Sequence, residues 1–92
     1  MKLIDVVANL NSLNSDATIY AAEPWTFDSI AIVEVEPPSG GFPEEAVRQG
    51  LKYFLEVSIA RDFIEDWESK RSKVHSDTQR CERLIRYAVD DA

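Results

Sequence analysis

The side chains of this chain that could do chemistry are few. His75, Asp77 and Cys81 give the spacing H-x-D-x3-C, whose imidazole, carboxylate and thiol could bind a transition metal. Metal sites usually contain repeated Cys or His pairs, and this chain has one residue of each type. Catalysis by Cys81 would need an adjacent base, and His75 falls on a different face of the predicted last helix. A buried thiol and a surface histidine explain both residues, so we predict no catalytic, cofactor-binding or metal-binding residue.

A cluster of carboxylates offers a second kind of chemistry. Asp62 and Asp66 are spaced to share one face of a helix, as a divalent metal or an acid–base pair would require. Glu65 and Glu68 lie beside them, and Lys70 follows as a partner for their charge. We interpret the cluster as a solvated helix face. The alternative hypothesis is a small metal-dependent or acid–base enzyme that uses Asp62, Glu65 and Asp66 with His75.

The net charge of −7 is divided unevenly along the chain. Residues 1–50 hold 2 basic and 8 acidic side chains, whereas residues 51–92 hold 8 basic and 9 acidic ones. A negative molecule repels phosphate backbones, so we do not expect nucleic acid as a partner, although Arg80, Arg83 and Arg86 form a basic stripe on the predicted last helix. The acidic 16–45 region would instead attract a basic protein.

The chain is short enough to form one domain over 1–92, and its patterns predict an α+β fold in the order α-β-β-α-α. Apolar residues at helical spacing over 3–13 predict a first helix. Alternation over 18–22 and 29–36 predicts an antiparallel hairpin, which helices must cover or a second copy must extend. Ser76 and Gln79 match a capping box before the last helix.

The segment 51–67 is unusually rich in large apolar side chains and is ambiguous at its start. Its helical spacing continues through Phe63, Ile64 and Trp67, which favours a helix. Gly50 either lies inside one long helix from 43 to about 71 or caps a short helix before a new element. Alternation over 51–59 also fits a strand, so a third strand there is the alternative. A helix that is apolar on most of its circumference is central to its domain or shared with a partner.

Several large aromatic side chains lie in predicted loops or in this apolar segment, where they would fold back onto the core or anchor a partner. We predict a partner interface at Trp25, Phe27, Phe42, Tyr53, Phe54 and Trp67.

These observations predict a non-catalytic, acidic protein–protein interaction module that is a homodimer. An antitoxin-like or immunity-like inhibitor fits this size and charge by analogy, without a motif. One cysteine indicates a reducing cytoplasm. Charges interrupt the most apolar segment, and the N-terminal region makes a poor signal peptide, so we expect no membrane association.

Overall fold

The computed structural model describes residues 1–71 and 74–91, with the side chains of 1–71 and 74–90. Its elements are α1 (Leu3–Ala8), a 3-10 turn (Leu10–Ser12), β1 (Ala17–Ala21), β2 (Ala31–Val35), α2 (Glu44–Gln49), β3 (Lys52–Glu56), α3 (Val57–Arg71) and α4 (Asp77–Asp91). The predicted α+β class is confirmed. Within the described residues, none of the helices combines the length and apolar character that crossing a bilayer requires.

A three-stranded antiparallel sheet in the order β2-β1-β3 forms the centre of the fold. The predicted hairpin is confirmed, with Ile19 opposite Val33. All five residues of β1 are buried because this strand is paired on both edges and covered on both faces.

The preferred helix over 51–59 is wrong for Lys52–Glu56, which form β3. The alternative is correct for these five residues, and the helix begins only at Val57. Gly50 ends α2 with a φ of 69°, a left-handed conformation that glycine adopts without a steric penalty. The chain then turns onto the second edge of β1, where β3 satisfies backbone groups that a helix would leave unpaired.

A β-bulge in β3 decides which of its side chains enter the core. Tyr53 lies opposite Tyr20, but Leu55 lies opposite Ile19, so Phe54 is the extra residue. Phe54 and Leu55 are therefore both buried, while Tyr53 lies on the other face of the sheet.

Helices α1, α3 and α4 cover the face of the sheet to which Ile19 belongs, and they bury the main core. Leu3, Val57 and Leu84, one from each of these helices, are fully buried there. The opposite face is covered only in part, because the short helix α2 contributes Ala46 to a small cluster with Tyr20.

Polar contacts fix α3 against its neighbours. Arg61 donates from Nε to the Leu10 carbonyl at 3.0 Å and from Nη2 to the Leu13 carbonyl, so it ties α3 to the 3-10 turn. The predicted capping box of α4 is confirmed, since the backbone N–H of Gln79 donates to Ser76 Oγ and the N–H of Ser76 donates to Gln79 Oε1.

Candidate binding surfaces

The residues that could have formed a metal or thiol site are built into the core. Cys81 is fully buried, and burial raises the pKa of its thiol to about 12, which disfavours the reactive thiolate in the folded protein. His75 is buried, which corrects the expected surface position: its ring stacks on Trp67 with centroids 4.0 Å apart. Across the described residues, no three His, Cys, Asp or Glu side chains gather into a possible metal site.

The acidic cluster of α3 divides into exposed residues and one structural residue. Asp62, Glu65 and Asp66 are exposed, and Asp66 pairs with Lys70 at 3.1 Å. Glu68 is only 19% exposed. It accepts hydrogen bonds at 2.9 Å from Arg80 Nε and from the backbone N–H of His75. Burial acts to raise the pKa of Glu68, but these hydrogen bonds and charges outweigh it and lower the pKa.

Three of the six aromatic residues predicted at a partner interface belong to the monomer core. Phe54 is fully buried, and the Trp25 ring packs edge-on against it with centroids 5.0 Å apart. Trp25 also donates from Nε1 to the Ala21 carbonyl at 3.2 Å, which holds the loop after β1. Phe27 is partly buried against the same core. These three side chains stabilise the fold and offer little surface to a partner.

The other three of these residues remain accessible. Tyr53 is 40% and Phe42 is 42% exposed, and both lie on the partly covered face of the sheet. Phe42 packs on Tyr20 with centroids 5.5 Å apart. Trp67 is half-buried and lines a groove between α3 and α4. The structure therefore separates two surfaces on opposite faces of the sheet.

The first surface is acidic. Glu34 and Glu56 both lie opposite the central residue Thr18, so the three form one row across the sheet with their side chains on one face. Both glutamates are exposed. Burial is the main cause that raises the pKa of Tyr20, and the charges of Glu36 and Glu34 raise it further. We call Glu34, Glu36 and Glu56 the acidic row.

The edge of β2 beside the acidic row has free backbone groups. The N–H of Ala31 points away from β1 and donates to the Met1 carbonyl at 2.7 Å. Backbone N–H and C=O groups alternate in direction along a strand, and Ala31, Val33 and Val35 are alternate residues of β2. The N–H and C=O groups of Val33 and Val35 therefore also point outward, away from β1. No described residue forms a backbone hydrogen bond with that outer side of Val33 or Val35. Val35 is also 54% exposed.

The second surface is a groove of about 900 Å³ between α3 and α4, on the opposite face of the sheet. We call it the basic groove. It is lined by Phe63, Asp66, Trp67, Lys70, Arg71, His75, Gln79, Glu82, Arg83 and Arg86. The aromatic rings in its wall are held by stacking, since Phe63 lies 4.4 Å from Tyr87, centroid to centroid, and Arg83 Cζ lies 5.7 Å from the Phe63 centroid.

The basic groove contains cations that have no carboxylate partner among the side chains that the structure describes. Among the described residues, no ion pair is formed by Arg71, Arg83 or Arg86. Arg83 Nε is buried and finds no hydrogen-bond acceptor in the described part of the chain. Arg80 differs from its neighbours on the predicted basic stripe, because it is held by Glu68.

Sequence reasoning found only part of these surfaces. The arginine stripe on α4 was visible in the pattern, but that Arg71 of α3 lines the same groove follows only from the packing of the two helices. The acidic row was visible as alternating glutamates at 34 and 36, whereas the pairing that adds Glu56 depends on β3.

Comparisons with protein-family models, curated proteins and solved structures found no match to this chain.

Proposed function

We propose that this protein is a non-catalytic interaction module that binds a basic protein partner by strand addition to β2. The observation that supports this most directly is the free outer edge at Val33 and Val35, next to the carboxylates of Glu34 and Glu36. An extended peptide gains main-chain hydrogen bonds at such an edge, and its alternate side chains meet the neighbouring face. Lys or Arg at those positions would meet the acidic row.

Charge favours a basic partner over a second copy at this edge. The N–H of Ala31 already donates to the Met1 carbonyl, so a second copy could pair only with Val33 and Val35. If two β2 strands paired antiparallel in this way, Glu34 of one copy would lie opposite Glu34 or Glu36 of the other. Like charges that lie directly opposite each other destabilise a strand pair. The net charge of −7 adds long-range repulsion between copies. The predicted homodimer stays a prediction, and this edge is a poor place for it.

Substitution of Val35 tests the strand-addition mode. Val35→Pro removes an outward N–H without removing a hydrogen bond to β1, and proline is tolerated on an edge strand in that orientation. Val35→Thr is the matched control, because it keeps the N–H and favours a strand. The tag belongs at the C-terminus, because Met1 lies beside the edge under test.

The experiment is affinity capture from a lysate of source cells, followed by reconstitution with the identified protein. We expect a basic partner that wild type and Val35→Thr bind and Val35→Pro loses. The double variant Glu34→Gln/Glu36→Gln should bind more weakly and with less salt dependence, while Glu65→Gln, an exposed residue on α3, should match wild type. A partner that Val35→Pro retains would overturn strand addition at this edge.

Light scattering of the purified protein and of the complex gives the stoichiometry. If the captured partner is an enzyme or a toxin, its activity in the complex tests the inhibitor role. The cytoplasmic location belongs to this proposal as well, and the buried, unreactive thiol of Cys81 is compatible with a reducing compartment.

A further inference from the structure

We infer that the basic groove binds a small phosphate-bearing ligand with a planar ring, of the mononucleotide class. The groove joins an aromatic wall to guanidinium groups that have no carboxylate partner in the described part of the chain, on a protein whose overall charge is negative. This site lies on the face of the sheet opposite the acidic row and does not depend on the strand-addition function.

The arginines that form no ion pair among the described residues are the reason to expect a phosphate group in the ligand. The chain has 17 acidic and 10 basic side chains, so acidic partners are abundant. Arg48 and Arg80 both have carboxylate partners, whereas Arg71, Arg83 and Arg86 have none among the described residues. Guanidinium groups bind phosphate oxygens with paired, charge-assisted hydrogen bonds.

The carboxylates of the groove do not cancel this charge. Asp66 is paired with Lys70 at 3.1 Å, which leaves Glu82 as the other acidic side chain among the described lining residues. Three arginines against one glutamate give the groove a net positive charge. Arg83 is held against the Phe63 ring, and its buried Nε has no acceptor in the described residues, so its guanidinium is still short of hydrogen-bond partners.

The aromatic side chains in the wall of the groove are the reason to expect a planar ring in the ligand. His75 stacks on Trp67 and fixes the indole in the wall of the groove. A ring held in this way loses little conformational entropy when a planar ligand stacks on it. The volume of about 900 Å³ lies within the range of small-molecule sites.

The overall charge favours a small ligand over a nucleic-acid strand. A long polyanion would extend beyond the groove and meet the field of a molecule with a charge of −7. A mononucleotide places its charge only against the arginines, where the local attraction dominates within a Debye length of about 8–10 Å.

Isothermal titration calorimetry of the full chain with AMP tests the inference, with the combined fluorescence of Trp25 and Trp67 as a second readout. We expect saturable binding of AMP, and weaker binding of adenosine and of inorganic phosphate, since each has only one of the two recognised groups. Arg83→Gln and Arg86→Gln should each weaken AMP binding by about tenfold or more. Arg48→Gln is the matched control, because Arg48 is an exposed residue of α2 outside the groove, and it should bind as wild type does.

Circular dichroism and urea unfolding must show that both arginine variants remain folded. Absence of saturable AMP binding, or equal binding by Arg83→Gln and wild type, would overturn the inference. Tighter binding of oligo-dT or of a poly-glutamate peptide than of AMP would also overturn it, in favour of a polymer. Val35→Pro should leave AMP binding unchanged, so failure of this site is distinguishable from failure of strand addition.

Discussion

The β-bulge in β3 gives the sharpest test of the fold. In a regular strand, adjacent residues point to opposite faces, so one of Phe54 and Leu55 would point away from the core. Truncation of that residue would cost little free energy of unfolding. The bulge instead buries both side chains, at 0% and 1% exposure. Phe54→Ala removes the ring that packs against Trp25, so we expect a loss of about 3–5 kcal/mol, and about 2–5 kcal/mol for Leu55→Ala.

These losses are large against the whole stability of the domain. A chain of 92 residues has a free energy of unfolding of about 5–14 kcal/mol, so Phe54→Ala would remove a fifth or more of it. Urea unfolding followed by far-UV circular dichroism measures the change. Tyr53→Ala is the matched control, because the adjacent Tyr53 lies on the other face and is 40% exposed, and we expect about 1 kcal/mol.

Two results would refute this reasoning. A loss below about 1 kcal/mol for either Phe54→Ala or Leu55→Ala would mean that the strand is regular and that one of the two side chains points outward. A midpoint that falls on dilution of the protein would mean that Phe54 is buried between copies rather than inside one. The wild-type midpoint, measured over the same concentrations, is the reference.

Two further predictions concern the partly buried carboxylate of Glu68 and the buried thiol of Cys81. Because the pKa of Glu68 is lowered in the folded state, its stabilisation is present above its usual pKa of 4.5 and is lost as the pH falls through the folded value. Glu68→Gln should therefore cost about 1–3 kcal/mol at pH 7, and the difference from wild type should close in acid; urea unfolding across pH measures this, with Glu65→Gln as control. A difference that persists unchanged in strong acid would contradict the ion pair with Arg80. Cys81, fully buried and with its thiol pKa raised to about 12, should not react with an aromatic disulfide reagent until urea unfolds the chain, and rapid reaction of the native protein would contradict its burial.

The elements that sequence reasoning identified correctly are those with a local physical cause. The β1–β2 hairpin follows from alternation between two turn-forming segments, and α4 follows from the capping box at Ser76 and Gln79. The buried thiol expected at Cys81 is confirmed as well, because that side chain of α4 is fully buried in the main core.

The strand β3 was not decided by local signals. The residues of 51–59 fit both a period of two and the start of a longer helical pattern, and only the free edge of β1 selects the strand. The bulge at Phe54 has no signature in the sequence, so the exposure of Tyr53 could not be separated from the burial of its neighbour. The burial of His75, which lies just before α4, depends on stacking against Trp67, eight positions earlier on α3.

The overall charge agrees in sign with the acidic row and differs in sign from the basic groove. A sum over the chain gives the same weight to Arg48 and Arg80, which are paired with carboxylates, as to the groove arginines, which form no ion pair within residues 1–71 and 74–90. Binding depends on the cations that remain unpaired and on where they lie, because screening limits exposed charges to about 8–10 Å. A protein with a charge of −7 can therefore attract a basic strand at β2 and an anion between α3 and α4, on opposite faces of one sheet.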